Sequence, residues 1–287
     1  MNSFFDQAFL KDIITALIAS GTALLVFFFT IRHDRRKDES KKKEENKNRI
    51  IYLLNLVSSS IDHAAVLIKN LQSTIEFFEE DKITFHHMLF SPNSSFVKLH
   101  ETLKHERYFL AFIERFENNV VKNFNEISLK VDYFKMQEEQ IWDSHKSAQM
   151  YDYERKKIFK QLSEEAIETL PKFLSKSNIE EMDQKTLDLL IIDFYKKHPQ
   201  EFDEKISLNY YYSFIRKVMS DILVKYYKDH EINSCLKIIK RASVMYNDII
   251  NHNVEYKGDL IAIRESLSNA LDEYKRLHTV LLNSDSI

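Results

Sequence analysis

The sequence predicts an all-α protein, a single N-terminal transmembrane helix followed by a cytoplasmic bundle of long helices. Three observations carry this prediction. Only two glycines, Gly21 and Gly258, occur in 287 residues, where average usage of about 7% would give about twenty. Tight hairpins need glycine where φ must be positive, so so small a supply argues against a sheet protein. Residues 13–31 contain no ionisable side chain. Beyond them, nine apolar residues recur at alternating steps of four and three, the spacing of a helix that buries one face.

The apolar run comes first. As a helix it spans roughly 28 Å, close to the ~30 Å hydrocarbon layer of a bilayer. Thr15, Ser20, Thr22 and Thr30 lie within it, and their hydroxyls can return to the helix carbonyls. A secretory signal would open on basic residues and close on a small-residue cleavage site. Here Asp6, Lys11 and Asp12 precede the run and FFFTIRHDRR leads out of it. A buried core helix has no need of unequal flanks, yet residues 32–49 carry nine Lys or Arg against one lysine before the run. The positive-inside rule then makes residues 1–12 a short extracytoplasmic tail and residues 13–31 a permanent single-pass anchor in the inner membrane, with everything beyond in the cytoplasm. Ala16, Ser20 and Ala23 fall at i, i+4 and i+7, a stripe of small residues that lets transmembrane helices approach closely. Small residues are also common in such segments, so chance spacing stays open beside packing.

Residues 32–49 form a basic juxtamembrane linker. Its cations can attract anionic lipid, but five interspersed acids dilute that field and leave topology as its main role. The seam follows over residues 50–82: Ile50, Leu54, Val57, Ile61, Ala64, Ile68, Leu71, Ile75 and Phe78. A period of 3.5 favours left-handed, coiled-coil-like packing. Leu53, Leu56, Ala65, Leu67 and Phe77 widen the stripe, which suits a bundle helix. An oligomeric stalk and an intramolecular helix both remain open. Residues 83–95 read as a loop, with Pro92, Asn93 and two serines as turn chemistry. His86 and His87 are adjacent and point to different sides, as solvated loop histidines.

Residues 96–287 complete the bundle. Ser95 can cap a helix whose apolar side holds Phe96, Leu99, Leu103, Leu110, Ile113, Phe116, Val120 and Phe124. A long helix runs from about residue 127 to Leu170 and stops before Pro171, with Trp142 as the apolar anchor of its polar middle. Shorter helices cover 182–197, closed by the His198-Pro199 step, then 206–230 and 232–251. Gly258-Asp259 makes a break and an N-cap for a last helix over 259–282.

Chemistry is hard to find. Two distant glycines exclude a phosphate loop, and HExxH is absent although HERYF at 105–109 begins like it. His100 and His105 turn to different sides of a helix. One cysteine excludes an internal disulfide and a CxxC zinc site, and Cys235 lies among Ile232, Leu236 and Ile239 as a small core residue. No catalytic residue, metal site or cofactor is expected. In residues 208–230 tyrosines alternate with Arg216, Lys217, Lys225 and Lys228, which could stack single-stranded bases. Leu208, Tyr211, Ile215, Val218, Ile222 and Tyr226 fall on helical spacing, however, and read as core. With a formal net charge of −3, no specific nucleic-acid binding is expected.

One tract, DFYKKHPQEFDEKISLNYYYSFIRKVMSDI at 193–222, resembles the part of bacterial phage abortive-infection membrane proteins where an aromatic helix precedes an isoleucine-rich one. SSFVKLHETLKH at 94–105 resembles an earlier Phe-Leu-His segment of the same family. The resemblance implies an N-terminal membrane anchor with helices beyond it, and it transfers no functional residue. Two functions are thus expected. In one, a non-enzymatic anchored protein binds a protein partner or its own copies at the membrane as sensor or effector of phage defence, its span acting as an anchor or also permeabilising the bilayer. In the other, the helical part is a tethered enzyme such as a nuclease.

Overall fold

The computed structural model describes residues 7–90, 94–116, 120–175, 179–197 and 204–284, and among them no strand occurs. Eight α-helices follow one another: α1 (Gln7–Glu80), α2 (Ser94–Leu103), α3 (Glu106–Arg115), α4 (Val120–Leu174), α5 (Glu181–Lys197), α6 (Glu204–Ser213), α7 (Asp221–Leu223) and α8 (His230–Ser284). A π-helical turn, Phe214–Ser220, joins α6 to α7, and a 3-10 turn, Val224–Tyr226, follows. The chain forms an all-α fold whose N-terminal helix includes one segment long and apolar enough to cross a membrane. Within the expected turns, residues 91–93 and the His198-Pro199 step lie outside the described residues, as does the start of the N-terminal tail.

The chain divides into two compact units. The first comprises Met1–Ser59, Val97–Leu129 and Leu277–Ile287. Here none of the described side chains of α1 before Asn46 is buried. Residues 32–49 are helical throughout, so the basic linker is a continuous stretch of α1. Ile50, Leu53, Leu54 and Val57 then enter a core with Leu99 and Leu103 of α2, Ala111 and Phe112 of α3, Phe116, and Phe124 and Ile127 of α4. Phe112 packs at 4.5 Å from Phe116 and 5.4 Å from Phe124 between ring centroids. Each such side chain contributes roughly 1.5–3 kcal/mol when fully buried.

The single helix expected from Phe96 to Phe124 is interrupted twice. Lys104 and His105 close α2 with hydrogen bonds to the carbonyls of Glu101 and Thr102, and His105 turns extended at φ −83°, ψ 116°. The cause is in the sequence. Between Leu103 and Leu110, Glu106 and Arg107 occupy the steps an unbroken apolar face would need. Breaking there brings Ala111, Phe112 and Phe116 inward and leaves Leu110 and Ile113 exposed.

The second unit comprises Ser60–Phe96 and Lys130–Arg276. Its frame is three long helical stretches of α1, α4 and α8. The α1 and α8 stretches run antiparallel, as the pairs Ser60–Tyr274 and Phe78–Tyr256 show. Against α8, α4 is also antiparallel, with Lys130 on Glu273 and Arg155 on Asp248. Both being antiparallel to α8, α1 and α4 run parallel to one another, and His63 of α1 meets Glu138 of α4 between them. Ile61, Ala64, Leu71, Ile75 and Phe78 of the seam are buried here within the chain's own core, and Ile68 is half-buried.

At the far end, α5, α6 and the π-turn cover Phe159, Ala166, Ile167 and Leu170 of α4 and Ile232, Cys235, Ile239 and Ala242 of α8. Leu208, Tyr211 and Ile215 are buried as their spacing requires, Val218 lies outside the described side chains, and beyond it Leu223 is buried and Ile222 half-buried. Between Ile215 and Leu223 the wider π-turn changes the period.

Two expected helix ends are absent. The α4 helix runs through Pro171 to Leu174; the proline removes one hydrogen bond close to the helix end, where Ile167 and Leu170 are already fixed by burial. The α8 helix runs through Gly258. From Ile232 its buried residues, Cys235, Ile239, Ala242, Tyr246, Ile249, Asn253, Tyr256 and Leu260, keep steps of three and four straight across that glycine. Burial on both sides holds the helix and outweighs the roughly 1 kcal/mol a mid-helix glycine costs. A Cβ built at Gly258 meets nothing within 4 Å. Gly258→Ala therefore raises stability by about 0.5–1 kcal/mol, read as a higher urea midpoint for the detergent-solubilised chain. A helix break at this position would give the opposite sign.

Candidate functional site

In the first unit the outstanding surface is α1 itself. Over residues 13–31 eleven large apolar side chains face outward, among them Leu24, Leu25, Val26 and the consecutive Phe27, Phe28 and Phe29. The hydroxyls among them are satisfied within the helix: Thr15 donates to the Lys11 carbonyl at 2.8 Å, Ser20 to Leu17 at 3.1 Å, Thr22 to Ile18 at 2.7 Å and Thr30 to Val26 at 2.8 Å. The helix thus presents no unmet polar group to an apolar medium. Ala16, Ser20 and Ala23 are all exposed. Ala23 lines a shallow groove with Thr22, Val26, Phe27 and Thr30, and among the described residues the stripe stays exposed.

The second unit holds a line of polar groups inside its core. On α4, Phe134, Glu138, Ile141, His145, Ala148 and Asp152 are all buried, at steps of four, three, four, three and four. Glu138 meets Nε2 of His63 at 3.1 Å, and its second oxygen has no hydrogen-bond partner. Asp152 holds Lys156 at 2.7 Å, one turn along α4. Asn253 of α8 donates to the carbonyls of Lys82 and Ile83 at 3.0 and 3.4 Å.

These side chains pin residues 81–90. Asp81 Oδ1 accepts from the backbone N–H groups of Ile83 and Thr84, and Asn70 donates to the Leu89 carbonyl at 2.8 Å. His86 stacks on Phe77 at 4.2 Å, and His87 meets Gln149 at 3.1 Å. Ile83, Phe85 and Met88 are buried, so the segment is a fitted connection, not a solvated loop.

His145 is the centre of this arrangement. Its ring is 4% exposed. The Met88 N–H donates to Nε2 at 3.2 Å, so that nitrogen keeps its lone pair and the proton sits on Nδ1, which donates to Tyr256 Oη at 2.8 Å. Burial, with His87 and His86 adding to it, pushes the imidazole down to about 4. Burial likewise pushes the phenol of Tyr256 up. A second proton on His145 would set N–H against the Met88 N–H.

Chemically, the arrangement is structural. His145 is a neutral, buried base held on both ring nitrogens. Cys235 is buried and its thiol is pushed up to about 12 by burial, far from a nucleophilic thiolate. Among the described residues no group of three His, Cys, Asp or Glu could hold a metal. A groove of about 720 Å3 lies between α1 and α8 in the second unit, lined by Ala65, Ile68, Lys69 and Gln72 opposite Arg264, Glu265, Ser268 and Asn269. Ile68 is half-buried because this groove opens over it.

The polar core was the part hidden from sequence reasoning. Its signal is the α4 spacing itself, which stays legible only when Glu138, His145 and Asp152 are allowed on a buried face. Trp142, expected as the anchor, is 49% exposed, edge-on to Phe90 at 4.7 Å. In the tract 193–222, residues 198–203 lie outside the described residues; the rest of its aromatic positions pack mainly on one another, with Phe194 against Tyr210 and Phe214.

His145 gives the fold a pH dependence of definite sign. Its folded value lies below the ordinary 6.5, so the unfolded chain takes up more protons between pH 6.5 and 4. Stability is full above pH 6.5 and falls through that window, by up to about 3 kcal/mol. Urea unfolding at pH 7.5 and 4.5 should show this loss in the native chain and a clearly smaller one in His145→Gln.

Comparison with known proteins finds no family model, no curated protein and no solved structure that matches this chain.

Proposed function

We propose that this chain is a single-pass membrane protein whose helical body binds a protein partner at the membrane surface and catalyses no reaction. The observation that carries the proposal is the apolar helix over residues 13–31, none of whose most apolar window is buried. Eleven large apolar side chains on one exposed helix far exceed the scattered apolar surface a soluble protein tolerates. A bilayer removes that surface from water over the length the helix provides. The nine cations of residues 32–49 support, by the positive-inside rule, a reading with the bundle in the cytoplasm and the N-terminus outside a bacterial inner membrane.

The binding role rests on what the described surface offers. It has an open groove between α1 and α8 and an exposed apolar side of α5, with Leu189, Ile192 and Tyr195, and no arrangement suited to catalysis. The resemblance of residues 193–222 to abortive-infection membrane proteins supports phage defence as the process, with the bundle as sensor or effector.

Two measurements test this reading. The full chain should stay with the membrane after alkaline carbonate extraction, with a C-terminal tag reached by protease only after the inner membrane is opened; a chain released by carbonate refutes the anchor. Expression from its own promoter should lower phage plating efficiency by at least roughly tenfold, and deletion of residues 7–31 should abolish protection. Equal plating with and without the chain refutes the defence role and leaves the anchor standing.

A further inference from the structure

In the first unit, α1 and α3 enclose a cavity of about 310 Å3, lined by Lys43, Asn46, Lys47 and Ile50 on one side and Ala111, Glu114 and Arg115 on the other. The spacing i, i+3, i+4, i+7 on α1, facing i, i+3, i+4 on α3, sets these side chains on opposed faces. Ile50 and Ala111 are buried and make an apolar floor. Three cations stand at the rim against one carboxylate. That carboxylate, Glu114, accepts a hydrogen bond from Asn46 Nδ2, while Asn46 Oδ1 accepts from Arg49 Nη1 at 2.7 Å. The negative group is thereby tied to the wall, with Arg49 behind it. Lys43 and Lys47 are exposed, and neither forms an ion pair among the described residues.

We infer that this cavity binds a small phosphorylated organic anion, its phosphate held by Lys43, Lys47 and Arg115 and its carbon body resting on Ile50 and Ala111. Its volume lies at the lower end of the range for small-molecule sites, and no aromatic ring lines it to stack a nucleobase. The phosphate could belong to a lipid headgroup or to a soluble metabolite. Lys43 stands twelve residues beyond Ile31, about 18 Å along an unbroken helix. The headgroup layer adds only about 5–8 Å beyond the hydrocarbon on each side. Even a 40° tilt leaves about 14 Å. The site therefore takes its ligand from the aqueous phase. This choice of source rests on the membrane-spanning reading, while the anion site does not.

The test uses the full chain in nanodiscs of phosphatidylcholine, titrated calorimetrically with inorganic pyrophosphate and with glycerol 3-phosphate at low salt. Saturable binding of one equivalent is expected, weakened at least roughly tenfold in Lys43→Gln/Lys47→Gln. Lys37→Gln/Lys41→Gln makes the same change of charge on the opposite face of α1 and should bind as the native chain does. No saturable binding, or equal losses in the two variants, overturns the site. Nanodiscs containing phosphatidylglycerol separate the sources: unchanged binding supports the soluble ligand, and competition by that lipid overturns it. A chain that carbonate extraction releases from the membrane would still bind pyrophosphate, so failure of the anchor and failure of the site are distinguishable.

Discussion

Burial of a stripe repeating every 3.5 residues, on α1, α4 and α8 alike, is the constraint on which the second unit depends. A straight α-helix drifts about 20° per heptad away from such a repeat. Keeping the stripes in register over many turns favours continuous helices, because a break would turn the next stretch off the shared core. This is why α8 passes through Gly258 and α4 through Pro171, both at residues that in isolation would end a helix. At Gly258 buried neighbours on both sides hold the register against the roughly 1 kcal/mol that glycine costs, and at Pro171 buried Ile167 and Leu170 hold it up to the last turn.

The polar members of these stripes decide which register is held. Apolar side chains alone would let α4 slide by one heptad with little loss, because one buried Leu or Phe replaces another. Glu138, His145 and Asp152 each meet a partner from a different element: His63 on α1, Tyr256 with the Met88 N–H, and Asn253 on α8. A slip would strand all three, at roughly 1–3 kcal/mol for each unmet buried group. The unpaired oxygens of Glu138 and Asn253 show that this specificity has a cost in stability even in the native register. The same groups fix residues 81–90, so the connection leaving α1 is set by the core, not by its own turn chemistry.

The seam of α1 was readable in the sequence because every one of its nine positions is apolar. The equally regular seam of α4 was not, because three of its positions are charged or titratable and pattern reading treats those as surface. In α8, Asn253 hid one step and Gly258 suggested a break, so one helix read as two. The opposite error arose at α2 and α3, where apolar residues on roughly helical spacing suggested one helix. There the deciding feature was a gap, Glu106 and Arg107, that no tertiary packing spans. Between Ile215 and Leu223 a π-turn changes the period itself, so regular helical spacing does not carry across it. Of the candidate site residues, Ala16, Ser20 and Ala23 were legible as a stripe, but the α1–α3 cavity needed Arg115 and Lys43 brought together by a fold that the local sequence does not announce.

Within the first unit, α1 joins the apolar run to buried core without a hinge. From Ile31 to Ile50 there is no glycine or proline, the helix is continuous, and roughly 28 Å of rise separates the two residues. Bending such a segment sharply needs a proline, a π-bulge or an inserted side chain, and none occurs there. A rotation or axial shift of the span is therefore delivered to Ile50, Leu53, Leu54 and Val57 with little damping, and a turn of 100° would bring charged neighbours such as Arg49 toward Phe112. Close-packed cores resist small continuous displacements and give way in discrete steps. On the proposed placement of the span, the first unit couples the bilayer to the packing of Phe112 and Phe124, with the Lys43–Lys47 cavity on the segment that would move.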